Sequence, residues 1–158
     1  MAAAVVAVIV GATGCTVTGQ AQTPRAQVES YVAERSAARE HANGEAACAT
    51  TLAGMRASVA AYNTMISALN SSQDMGSLGG ADRAVIIRLD HDLANLRAAQ
   101  GKSLPAGLTQ PFAGAAEATS AIRKAVVGKK RDELNPAARR WDRARQRLVR
   151  VCGRFLPR

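Results

Sequence analysis

A chain of 158 residues with a formal net charge of +9, 47 % hydrophobic residues and only 3 % aromatic ones is one domain in length and apolar enough to bury a core. Much of the apolar content is alanine, which favours closely packed helices over sheet, and so few rings leave no ladder of aromatic platforms for stacking bases. The charge is uneven: residues before Arg123 hold eight Lys/Arg against nine Asp/Glu, and those from Arg123 onward hold thirteen against three.

The opening stretch, Ala2 to Gly14, is uncharged and built of Ala, Val, Ile, Gly and Thr. As a helix it would reach only about 20 Å, against about 30 Å of bilayer hydrocarbon, which suits the apolar region of a signal peptide over 1–14 better than a membrane span. Its end, Ala12-Thr13-Gly14-Cys15, resembles the lipobox of bacterial lipoproteins, with Gly14 and Thr13 in the two small-residue places before the cysteine. Ala12 stands where a large aliphatic is usual, and no Lys or Arg precedes Arg25. The resemblance implies cleavage before Cys15 and lipidation of its thiol; the alternatives are an ordinary secretory signal or an apolar helix that is retained. The Arg-rich, Lys-poor usage also resembles that of high-GC genomes, actinobacterial ones among them. Residues 15–23, polar after Cys15, read as a flexible tether, and 24–158 as the folded domain.

Thr23-Pro24 reads as a helix start, with Thr at the N-cap and Pro first inside. This first helix is expected to reach Asn43, with Asn43-Gly44 as a stop or bend and a thin apolar stripe of Val28, Tyr31 and Val32 that suits an exposed stalk. A second helix, 45–70, carries Cys48, Leu52, Met55, Val59, Tyr62, Ile66 and Leu69 at alternating steps of four and three, a heptad seam. A Ser/Gly-rich loop follows to Gly80. The third helix, 82–100, offers Val85, Ile86, Leu89, Leu93 and Leu96; the fourth, 109–128, offers Phe112, Ala115, Thr119, Ile122 and Val126. The fifth, 136–155, opens on Asn135-Pro136 and offers Ala138, Trp141, Leu148, Cys152 and Phe155. No strand-type alternation of any length occurs. The expected fold is all-α: an up-down-up-down four-helix bundle preceded by one additional N-terminal helix.

Three cysteines are an odd number. With Cys15 lipidated, Cys48 and Cys152 remain as a pair, as an oxidising compartment outside the cytoplasm favours. In an up-down-up-down bundle the start of the second helix and the end of the fifth are neighbours, so the pair is also placed to bridge.

No catalytic constellation stands out. His41 and His91 fall on different helices, and Asp90-His91-Asp92 are adjacent on one helix, point in different directions and read as a solvated face. No Glu-x-x-His pair suits a di-metal bundle, the glycines at 76, 79 and 80 lack a phosphate-loop lysine, and no cofactor is implied. The C-terminal helix is the functional candidate: Arg139, Arg143, Arg147, Arg150 and Arg154 step by four, four, three and four along one face, with Arg140 and Lys129-Lys130-Arg131 extending the patch. Such a stripe suits an anionic surface, each basic residue adding about 1 kcal/mol at low salt, or else serves only as a solvated face.

The sequence thus points to a binding module, not an enzyme, anchored in membrane lipid on the outer face of the cell membrane. Its expected partners are an anionic envelope polymer, another envelope protein or the membrane surface. The competing reading is a cytoplasmic basic helical protein that binds nucleic acid through the same stripe. A Cys15→Ser chain is expected to move from the membrane fraction to the medium, and unchanged membrane retention on fractionation contradicts the lipid anchor.

Overall fold

Pro24 stands at the N-cap of a single helix, α1 (Arg25–Ser72), so the helix begins one residue later than the Thr23-Pro24 pattern suggests. The computed structural model describes residues 24–156; the expected signal (1–14), Cys15 and the rest of the 15–23 tether lie outside the described residues. After α1 come α2 (Ala81–Gln100), α3 (Ala106–Val127) and α4 (Arg131–Cys152). Each helix packs against the next and α4 returns to α1, closing an up-down-up-down four-helix bundle. Among the described residues there is no strand.

The break expected at Asn43-Gly44 is absent, and packing explains why. Gly44 is buried, and a β-carbon there would lie 3.1 Å from both Leu108 Cδ1 and Pro105 Cδ. Asn43 Nδ2 donates to the Ser103 carbonyl at 3.0 Å. Both residues therefore serve as the platform on which the α2–α3 connection docks, and that contact outweighs the roughly 1 kcal/mol by which glycine disfavours a helix interior. The expected first and second helices are accordingly one helix of 48 residues, about 70 Å long. Its start stands clear of the bundle: Val28, Tyr31 and Val32 are 46 %, 60 % and 59 % exposed, as a stalk would have them.

Two other helix starts lie earlier than expected, by three residues from Thr109 and by five from Pro136. α3 begins at Ala106, with Pro111 inside it, and α4 at Arg131, with Pro136 inside it. Each proline leaves one carbonyl, of Gly107 and of Asp132, without its helical donor; both residues are exposed, so water can serve instead. α3 ends in a Schellman arrangement, Lys130 N–H to Ala125 O and Lys129 N–H to Val126 O, with the left-handed position (φ 52) held by Lys129 and not by Gly128.

The core falls into two clusters. One gathers Met65, Leu69, Val85, Leu89, Ile122, Val126, Leu134 and Trp141, and the α1–α2 loop closes its end with Met75 and Leu78. The other gathers Cys48, Met55, Leu96, Leu108, Phe112, Leu148 and Cys152. Ser58, Asp92 and Thr119, all buried and polar, fall between them by their places on the helices. The loop is shaped by Asp74, whose carboxylate accepts from Gly76 N–H (2.9 Å) and Ser77 Oγ–H (2.7 Å); those bonds, the serine's first, hold it below the usual carboxylate range.

The heptad seam needs one adjustment. Cys48, Met55 and Leu69 are buried as expected, whereas Leu52, Val59, Tyr62 and Ile66 are half-buried, and Thr51, Ser58 and Met65 take the interior places between. The interior register on α1 is Cys48, Thr51, Met55, Ser58, Met65 and Leu69, with Tyr62 half-buried on the same stripe.

Cys48 and Cys152 are bonded, with Cα atoms 5.4 Å apart and 104 positions apart in sequence. Cys48 lies midway along α1, at the point where the bundle proper begins. In the chain-entropy account a loop of this length contributes about 4–5 kcal/mol. Cys48→Ser is expected to lower the melting temperature by on the order of 15 °C and to expose Cys152 to thiol titration. An unchanged melting curve and thiol count would refute the bridge.

Candidate functional site

The interior turns of α4 are set by Leu134, Ala137, Trp141, Leu148 and Cys152, which face the other helices. That leaves the opposite side to the arginines. Arg139, Arg140, Arg143, Arg147, Arg150 and Arg154 are all exposed, and none of the six forms an ion pair among the described residues. Three of them converge: Arg140, Arg143 and Arg147 frame a cleft of about 170 Å³ against Pro111 and Gly114 of α3. Gly114 has nothing within 4 Å of a would-be β-carbon, so the α3 wall stays open to the arginines. Guanidinium groups held on a rigid helix at this spacing can present planar forks to phosphate or carboxylate oxygens.

The proposed extension of the patch is largely committed to structure. Lys130 Nζ pairs with Glu133 at 2.8 Å, and Arg131 donates to the Gln73 carbonyl and to Gln73 Oε1 at 3.2 and 2.7 Å, tying α4 to the end of α1. Lys129 faces Asp74 closely enough to help lower its proton affinity. Arg145 is separate again: it is half-buried on another side of α4 and donates to Asp142 Oδ1 at 2.7 Å.

Residues 30–153 match the family model of the Rv2240c four-helix bundle domain. The chain belongs to that family. The match covers most of the described bundle, α4 and its arginine face included, and the name, of mycobacterial type, agrees with the actinobacterial usage of residues. No curated protein and no solved structure matches the chain.

The Asp90-His91-Asp92 segment divides in a way the solvated-face reading did not anticipate. Asp90 is exposed and pairs with Arg123 across α2 and α3, through Nε and through Nη2 at 3.1 Å. His91 is exposed beside Asn95, with Nδ1 3.2 Å from the amide nitrogen, and His41 packs against Phe155, ring centroids 5.6 Å apart. Asp92, by contrast, is buried, 1 % exposed, between α1 and α2. Ser58 Oγ–H donates to its Oδ2 at 2.6 Å, and Gly54 makes room for Oδ1: a β-carbon there would come within 2.5 Å. The signal was in the register, because Val85, Leu89, Asp92, Leu96 and Ala99 step by four and three and put Asp92 on the buried stripe. Among the described residues no group of three or more His, Cys, Asp and Glu could hold a metal ion.

Burial pushes the Asp92 carboxyl above the usual carboxylate value, against the Ser58 hydrogen bond and the nearby His91 and Arg88. A carboxyl raised in the folded state stabilises the fold when protonated. That contribution is complete below the unfolded value, near 3.9, and is lost as pH rises through the folded value. Asp92→Asn is therefore expected to melt higher than the parent at neutral pH, with the gap narrowing as both are acidified towards about pH 4. A constant difference across paired thermal melts would contradict a charged, buried Asp92.

Proposed function

We propose that the protein is a binding module of the bacterial cell envelope, anchored in the outer face of the membrane through Cys15, that engages anionic surfaces with the exposed arginine face of α4. The observation that carries this reading is the set of five arginines on one side of α4, with Arg154 just past its end, all without ion-pair partners among the described residues. A charge placed for solvation alone gains little from convergence, whereas Arg140, Arg143 and Arg147 share one cleft with open α3 backbone beside it. The partner chemistry is phosphate or carboxylate, as in anionic lipid headgroups or wall polymers. No catalytic step is assigned.

The address rests on the lipobox-like segment and draws support from the Cys48–Cys152 bond, since structural disulfides persist in oxidising compartments. No described helix is long and apolar enough to cross a membrane. The same bond disfavours the cytoplasmic nucleic-acid reading.

Replacing Arg143, Arg147 and Arg150 with Gln is expected to weaken binding to phosphatidylglycerol vesicles by about a hundredfold at low salt, without moving the melting temperature. Vesicle sedimentation measures it. Unchanged sedimentation would leave the stripe as a solvated face.

A further inference from the structure

α1 and α4 are the first and last helices of the bundle, and three contacts hold them together. Arg131 reaches Gln73 at one end, the Cys48–Cys152 bond closes the other, and Tyr62 meets Trp141 edge-on between them with ring centroids 6.0 Å apart. Between Trp141 and the disulfide the seam opens into a cavity of about 430 Å³, lined by Leu52, Met55, Arg56, Arg145, Val149 and Leu156. This is within the range of roughly 300–1,000 Å³ typical of small-molecule sites.

The lining makes two separate demands. Met55 is buried, Leu52 and Leu156 are half-buried, and Val149 is 47 % exposed, so aliphatic surface faces the opening and gains from being covered. Two guanidinium groups border the same space from opposite helices. Arg145 spends one nitrogen on Asp142, but its Nε–H is buried and has no acceptor. Arg56 is exposed and forms no ion pair among the described residues. One carboxylate, that of Asp142, offsets two guanidinium groups, which leaves positive charge at the groove. The cleft beside Pro111 answers only the second demand, having three arginines and no large aliphatic side chain.

We infer that this groove binds a single-chain carboxylate amphiphile, a fatty acid. Its chain would lie along Leu52, Met55, Val149 and Leu156, and its carboxylate would face the guanidinium groups of Arg145 and Arg56. A linear chain suits a seam running between two antiparallel helices, and a carboxylate matches the guanidinium fork. The site is independent of the α4 arginine face, which lies on another side of the same helix.

The test is calorimetric titration of the oxidised full chain with decanoate, decanol and decyltrimethylammonium below the concentrations at which they self-associate, with Trp141 fluorescence as a second readout. Decanoate is expected to bind saturably, one per chain, at least about tenfold more tightly than the other two. Arg56→Gln with Arg145→Gln, and separately Val149→Glu, are expected to lower decanoate affinity at least about tenfold, while the Arg143, Arg147 and Arg150 to Gln variant leaves it unchanged. Should the double arginine variant fold poorly, Arg56→Gln and Val149→Glu, both at exposed positions, decide alone. Equal affinity for the three ligands, absence of saturable binding, or undiminished binding in those variants would overturn the inference.

Discussion

The return of α4 onto α1 is the constraint on which the rest of the structure depends. α1–α2, α2–α3 and α3–α4 are neighbours along the chain and pack by local connection, but α4 must close against a helix whose contacts begin some hundred residues earlier. Closing so long a loop is entropically costly, and the α1–α4 seam is the least extensively packed of the four. The disulfide removes that cost from one end and the Arg131–Gln73 pair fixes the other. Held at both ends, the seam can stay partly open between them, and a partly open seam is where a bundle can take a ligand.

The interior trades some stability for a fixed register. Ser58 and Asp92 form one short hydrogen bond inside the bundle, and Thr51 and Thr119 place hydroxyls there without partners. An all-aliphatic layer would bury more apolar surface, yet it would tolerate sliding of α2 along α1. Asp92 does not: its Oδ1 fits only over Gly54, and its Oδ2 only beside Ser58. That is the role best attested for a buried polar group in a helical assembly, fixing alignment and not adding strength.

Fold class and helix order could be read from residue pattern because each rests on apolar spacing, and the Cys48–Cys152 pairing followed from that topology. On α3 every expected interior residue, Phe112, Ala115, Thr119, Ile122 and Val126, is buried. Where interior positions are held by Gly, Ser, Thr or Asp, apolar spacing misleads. Gly44 looked like a helix stop and is a packing platform; Asp92 looked like surface and, with Ser58, is core. Pro136 misled in the same local way, since it suggested a helix start that lies five residues earlier. The arginine face was legible because arginine at helical spacing opposite a buried stripe has few other meanings. The α1–α4 groove was not, because Arg56 and Arg145 lie far apart in sequence and meet only through the topology.

The proposed protein is a lipid-anchored, disulfide-closed bundle outside the cytoplasm. The most direct measurement is the intact mass of the protein extracted from the native membrane fraction, taken with and without reduction. The expected result is a chain beginning at Cys15, carrying added acyl mass, that gains two hydrogens on reduction as Cys48 and Cys152 open. An unprocessed chain beginning at Met1, with all three thiols free, would contradict it.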